Sequence, residues 1–428
     1  MVATGSIART RGALRSRDFR KLLAVRICSQ TGDGLFQAAL VASVVFSPAQ
    51  RSTASGLFKT TLIVALPYSI IGPFTGVFID RWARKKILMF APILRALFAA
   101  LILADPHRAP FAFYAGALIV LSVNRFHLAT AQAVVPRLVP AEDLLMANSL
   151  ATVGGTLALL VGVFAGGKIA AAYGGGAIVT GAIVLWFTTA VIATRIKSEL
   201  TPALTPEDPE LLRHQIKRVL VEFKDGAREL LRTPGAIGPI TSITVDQFAQ
   251  GILLTLSLVV FKERFKEGVG SYSNLIAAGG AGVMIGIGTI GWLEERFARA
   301  KIVAGSFLAG GIAVAISAFD VTGTAVLLLS FVIGLTFTWK KIPIDTMVQE
   351  SIPDGFRGRV FSVYDVMYNG ARILATGLAV TLIPWLGVPG TLAVTAVALL
   401  AWTPVLPIWL RIRVSPSRSG GTPADRAP

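Results

Sequence analysis

The stretch Asp80-Arg81-Trp82-Ala83-Arg84-Lys85-Lys86-Ile87-Leu88 returns as Glu295-Arg296-Phe297-Ala298-Arg299-Ala300-Lys301-Ile302-Val303. Acid, Arg, aromatic, Ala, Arg, Lys and Ile recur in order, 215 positions apart, and a glycine (Gly76, Gly291) precedes the acid by four residues in each copy. Two further pairs lie 213 apart: Asp33 with Gln37 matches Asp246 with Gln250, and Pro140 matches Pro353. Three matches at nearly one offset, close to half of the 428 residues, indicate a duplicated unit.

Outward from these anchors the chain is a series of apolar runs: 22–46, 56–79, 87–104, 110–135, 147–169, 173–193, 235–261, 271–293, 301–319, 324–348, 358–384 and 388–410. Each is near the roughly 20 residues that cross a bilayer as a helix, and too long for the strands of a membrane barrel. In lipid the backbone must bond internally, so the runs are expected to be helices. Composition agrees: 54% of residues are hydrophobic and 15% charged, against about 25% charged in soluble domains. The predicted fold class is an all-α polytopic membrane protein with 12 transmembrane helices in two pseudo-symmetric six-helix bundles. The expected segments are a basic N-terminal stretch (1–21), a first bundle (22–193), a linker (194–234), a second bundle (235–410) and a disordered tail (411–428). In the linker, apolar residues from Leu212 to Leu231 recur at helical spacing, which fits an amphipathic helix on the inner membrane surface or a solvated one.

The net charge of +17 is a topology signal. Of the 41 Lys and Arg, the termini and even-to-odd loops hold 28, the odd-to-even loops seven and the spans six. That asymmetry predicts a cell-membrane protein with both termini cytoplasmic and argues against a nucleic-acid partner. One cysteine and three scattered histidines exclude a disulfide scaffold and offer no metal site. Gly162-x4-Gly167-Lys168 lacks the Ser or Thr of a phosphate loop. Gly286-Ile-Gly288-Thr-Ile-Gly291 lies inside an apolar helix, where small residues serve packing. No cofactor and no enzymatic activity are expected.

The sequence resembles the major facilitator superfamily of secondary transporters. The family's loop motif reads Gly76-Val-Phe-Ile-Asp80-Arg81-Trp82-Ala83-Arg84-Lys85-Lys86, with Ala83 where Gly is usual. The span-4 motif reads Leu121-Ser-Val-Asn-Arg125. The span-5 antiporter motif is degenerate, Gly162-Val163-Phe-Ala-Gly166-Gly167, with Val for Pro. Met146-Ala-Asn-Ser-Leu150 looks like the branch with drug-efflux, siderophore-exporting and lysophospholipid-moving members. The resemblance implies alternating access, and it links Arg125 to proton transfer. It also implies a cytoplasmic gate: Asp80, with Gly76, Arg81 and Arg84, caps the start of span 11 near Arg357, Gly358 and Arg359. Its duplicate, Glu295 with Arg296, would meet span 5 near Leu145 to Ser149.

Charges inside a bilayer are costly and mark cavities or partners. Asp33 lies near mid-depth of span 1 on one face with Gln30 and Gln37, and is the expected protonation site, with Arg125 its electrostatic regulator. The alternative is a structural ion pair with an arginine of a neighbouring span. Asp246 with Gln250 is the second-half counterpart and is placed in the substrate cavity. Asp365, Asn369 and Arg372 form a polar stripe on span 11, beside Tyr364 and Tyr368. Lys340, Lys341 and Arg26 are expected to reach toward headgroups. His127 is read as a satisfied packing residue, and Arg95 has no evident partner. The leading reading is a proton-coupled exporter of a small amphipathic molecule, with substrate, protons and membrane lipids as partners and a monomer as the working unit. The alternatives are a lipid or lysophospholipid transporter of the same fold and a non-transporting membrane sensor.

Overall fold

In the computed structural model the chain is described over residues 12, 14–44, 83–103, 110–198, 209–265 and 268–406. Its helices are α1 (Arg17–Val44), α2 (Arg84–Leu103), α3 (Pro110–Val134), α4 (Leu144–Tyr173), α5 (Gly175–Thr194), α6 (Pro209–Arg232), α7 (Pro234–Val259), α8 (Val269–Arg296), α9 (Arg299–Phe319), α10 (Gly323–Ser351) and α11 (Arg357–Trp402). Among the described residues there is no strand, and nine helices are long and apolar enough to cross a membrane. Helix α11 is two spans in one. It breaks at Gly387, whose φ of 66° favours glycine, and Pro389 follows. Eleven of the twelve expected runs are therefore present as helix. The run 56–79 lies outside the described residues, and so do Gly76, Asp80 and Arg81 of the first gate motif.

Each half contains a close crossing built on glycines. In the first, α1 crosses α4 where Gly34 faces the Leu159 carbonyl and Gly162 faces the Thr31 carbonyl; a Cβ at either glycine would strike that oxygen. In the second, Gly282 of α8 and Gly334 of α10 lie against each other's helix backbone in the same way. Small residues let membrane helices approach closely enough for dispersion to hold them. The span-5 motif thus serves packing: Gly162 and Gly166 rest on α1, and Gly167 rests on Ser273 of α8 in the other half. Of the glycines at 286, 288 and 291, only Gly286 packs on a neighbouring helix, at Thr338.

Among the described residues the first half has two larger apolar clusters and a small one around Ile87 and Ala91. Of the larger two, one includes Phe36, Phe113, Ile178 and Trp186, and the other Phe19, Leu22, Leu88 and Ile196. The second half has one large cluster around Ile243, Phe307 and Ile344. The linker helix α6 docks on this second half along one face and leaves Leu220, Val221 and Leu231 exposed. Phe223, Ala227 and Leu230 enter the cluster, and Gly226 sits against the Arg359 backbone. At the other end of the linker, Asp18 accepts hydrogen bonds from the Lys197 N–H (3.0 Å), the Ser198 N–H (2.8 Å) and the Ser198 hydroxyl (2.7 Å).

Candidate functional site

Three charge constellations occupy the middle depth of the bundles. The first belongs to the first half. Arg95 of α2 donates from Nη1 to Asp33 Oδ1 of α1 (2.5 Å) and to Asn124 Oδ1 of α3 (2.9 Å), and from Nη2 to Ser29 (2.8 Å). The Trp186 indole of α5 donates to the same Asp33 oxygen (3.1 Å), and its ring lies 4.8 Å from the Arg95 guanidinium. Asp33 and Arg95 are 2% and 0% exposed. The two larger apolar clusters of this half lie on either side of the layer. Arg95, for which the sequence offered no partner, is therefore the partner of Asp33, and Asp33 is not brought to Arg125. Gln30 of the Asp33 face is buried and Gln37 half-buried.

The second constellation is in the other half. Lys340 of α10 pairs with Asp246 of α7, both buried, and Gln250 donates to the second Asp246 oxygen (2.8 Å). The Lys340 ammonium also lies 4.8 Å above the Phe307 ring. Lys341 pairs with Asp345 one turn on and faces the rings of Tyr364 (5.0 Å) and Tyr368 (5.6 Å). The Tyr364 hydroxyl donates to Asp345 (2.8 Å). Neither lysine reaches for headgroups as expected from sequence; each is turned inward by a carboxylate. Arg26 likewise donates to Gln132 (2.6 Å).

The third constellation joins the halves. Arg125 of α3 lies 3.7 Å from Asp365 of α11, with side chains 27% and 50% exposed. Mid-depth charges that accessible face a cleft between the bundles. On the same α11 stripe, Asn369 donates to the Asp365 carbonyl (2.8 Å) and Arg372 donates to Gln247 of α7 (Nε, 3.1 Å). His127 is fully buried as expected, but it is not satisfied: neither ring nitrogen has a hydrogen-bond partner among the described residues.

At the side carrying the linker, Asp80 of the expected gate lies outside the described residues, with Gly76 and Arg81. Arg359 lies 3.9 Å from Glu222 and 4.0 Å from Asp225 of α6, and Arg357 donates to the Gln349 carbonyl (3.0 Å). No described residue outside its own helix lies within 4 Å of a Cβ placed at Gly358. Arg84 is buried, while Glu295 and Arg296 are exposed, with Arg296 stacked on Trp292 of its own helix (4.3 Å). Glu295 makes no hydrogen bond or ion pair with the start of α4 among the described residues. At the opposite side the halves are in contact, Gly167 against Ser273 and Gly270 against Ala171.

A duplicated helical bundle with charges paired at mid-depth and across its halves is the architecture of a secondary transporter. The Major Facilitator Superfamily model matches residues 22–376 and again 240–428, and the chain belongs to that family. An uncharacterized MFS-type transporter of Mycobacterium tuberculosis is 28% identical over 379 residues, 86% of this chain and 85% of the relative. Macrolide efflux protein A of Streptococcus pyogenes is 25% identical over 341 residues (76% and 80%). A lysophospholipid transporter of Yersinia enterocolitica is 25% identical over 330 residues (75% and 77%). Among solved structures, a POT family transporter in complex with 5-aminolevulinic acid superposes with a TM-score of 0.72 at 13% identity, covering 92% of this chain and 96% of that one. That likeness establishes the shared fold.

Proposed function

We infer that the chain exports a small amphipathic molecule across the cell membrane, driven by protons and working by alternating access. The linker side is taken as cytoplasmic from its excess of Lys and Arg. With the opposite side in contact, the geometry is then that of an inward-facing transporter. The observation that carries the reading is the Arg125–Asp365 pair. It bridges the halves in an accessible cleft, so protonating Asp365 removes an attraction between them, and arginine cannot yield its own proton. Asp365 is therefore proposed as the coupling carboxylate in place of Asp33, which Arg95 holds in a sealed layer. Gln250 and Tyr368, each partly exposed, border the substrate path, with Asp246 and Tyr364 buried behind them. Macrolide efflux by one relative supports export.

The test is uptake into proteoliposomes under an imposed pH gradient, with a panel of amphipathic compounds. Asp365→Asn is expected to abolish the acceleration by the gradient and to spare compound binding. Accumulation against a gradient at the wild-type rate in that variant would overturn the coupling role. Lysophospholipid movement is the second reading. It rests on the Yersinia relative, since Lys340 and Lys341 no longer stand free for headgroups. Flip of a fluorescent lysolipid in the same vesicles, without any proton-driven accumulation of drug-like compounds, would favour it.

A further inference from the structure

Four cations and three carboxylates surround the cleft and the adjoining second-half core. Lys340 is matched to Asp246, Lys341 to Asp345 and Arg125 to Asp365. Arg372 is left over. Both hydrogen bonds it makes, from Nε and Nη2, go to one amide oxygen, Gln247 Oε1, and no carboxylate is in ion-pair range among the described residues. Its Nη1 has no acceptor there either. Gln247 is 0% exposed, and its own Nε2 is buried without an acceptor. Two neighbouring side chains from α7 and α11 thus present donors that nothing in the protein answers. A guanidinium does not deprotonate, and a cation at this depth is costly without a counter-charge. A buried amide donor without an acceptor adds its own penalty. Both deficits are of one kind, and one anion cancels both.

The internal repeat shows that the fold does not require this pair. Residues 247 and 372 correspond, 213 positions earlier, to Gly34 and Leu159. There the first half makes an apolar close crossing, with Gly34 on the Leu159 carbonyl. The second half keeps the crossing one turn on, where Gly251 packs on the Arg372 carbonyl, and places Gln and Arg beside it. Next to them stands the half-buried Tyr368, backed by the buried Tyr364. Tyr368 lies 5.7 Å from the Arg372 guanidinium, and its ring meets Tyr364 edge-on with centroids 6.1 Å apart.

We propose that Arg372 and Gln247 form a subsite for a single anionic group, a carboxylate or a phosphate ester, of a substrate whose apolar or aromatic body lies against Tyr368, with the buried Tyr364 backing that ring. The substrate class is thus an amphipathic anion or zwitterion rather than a simple cation. The proposal deepens the transporter reading and rests on it for the word substrate. Its binding test stands apart from transport.

The experiment uses the full-length protein in phosphatidylcholine nanodiscs, with binding measured by calorimetry. The probes are 2-naphthylacetate, 2-naphthylacetamide and 2-(2-naphthyl)ethylamine, which share one ring system, and dodecyl phosphate as the lipid-like anion. At least one anion is expected to bind tenfold or more tighter than the amide and the amine. Arg372→Gln should remove that preference, Gln247→Leu should weaken anion binding several-fold, and Arg372→Lys should keep the order of the probes. Arg372-dependent binding of dodecyl phosphate alone assigns the site to lipid-type phosphates; of naphthylacetate alone, to soluble carboxylates. Either supports the subsite. Amide or amine binding as tight as the anions, or an anion preference that survives in Arg372→Gln, overturns it. If Arg372→Gln does not fold, Gln247→Leu and Arg372→Lys decide by the same criteria. Absence of proton-driven transport would sink the exporter reading and leave this comparison intact.

Discussion

At the scale of single residues, Asp33 shows how tertiary context changes the meaning of a charge. The sequence placed it eleven residues into span 1 and Arg95 eight residues into span 3, depths that agree within about one turn of helix. Matching charges by depth would have found the pair; the polar face of span 1 alone pointed toward a cavity instead. The same matching relates Asp246 to Lys340, which stands eight residues from the end of span 10. His127 lies 213 positions before Lys340. The repeat therefore puts an imidazole in the first half where the second has its ammonium, and Arg95 comes from a different helix to take the carboxylate. Removing one member of a buried pair strands the other, at a cost of about 3–5 kcal/mol, whereas replacing both by apolar groups of similar volume is close to neutral. Asp33→Asn is accordingly expected to lower the melting temperature in detergent sharply. Asp33→Leu with Arg95→Met should recover most of that loss. A fully stable Asp33→Asn that loses only the response to a pH gradient would return Asp33 to the coupling role.

At the scale of elements, the amphipathic pattern of the linker helix was legible and its docking was not. An apolar stripe reads the same whether it faces lipid or protein; what decides is Gly226, which lets the helix backbone sit on Arg359. Gly226→Val forces a side chain into that contact, an overpacking cost of about 1–3 kcal/mol, or roughly a 5- to 150-fold increase in the undocked helix. Limited proteolysis within 209–232 should speed up to match, and an unchanged cleavage rate would mean that the helix is held elsewhere. Glu222 and Asp225 of the same helix also lie beside Arg359, carboxylates that the loop motif did not predict. At the other end, burial would raise the Asp18 carboxyl, but hydrogen bonds from Lys21 and from the Ser198 hydroxyl and N–H outweigh it and hold the group well below the usual carboxylate range. A lowered folded pKa contributes stability that is present above the unfolded value, 3.8, and is lost as pH falls through the folded one. Asp18→Asn should therefore cost about 1.5–3 kcal/mol at neutral pH. Its deficit against the wild type in thermal unfolding should shrink progressively below about pH 4; a deficit independent of pH would remove the charge from the explanation.

At the scale of the whole molecule, the duplicated unit, the apolar runs and the family were all readable, because each is repeated or long. The contact that closes one side was not, because it depends on which of two arrangements of the halves is populated. That contact is narrow: Gly167 of α4 against Ser273 of α8, and Ala171 against Gly270 one turn further out. A Cβ at Gly167 would collide with the Ser273 Cβ, so any larger residue acts as a wedge that only separation of the two helices relieves. An alternating-access protein has a second arrangement available in which this side is apart, so the wedge shifts a population instead of unfolding a domain. An overpacking penalty of about 1–3 kcal/mol would change the ratio of the two arrangements by roughly 5- to 150-fold, which turns a preference for closure into a preference for opening. Gly167→Leu is thus expected to lengthen the distance between spin labels at 173 and 268, in a Cys28→Ser background, while labels at 142 in the first half and 298 in the second draw together as the linker side closes. Glu295 should then approach the start of α4, forming the gate contact absent from the present arrangement. If both distance distributions match those of the unwedged protein, the Gly167–Ser273 contact is not what holds the far side shut.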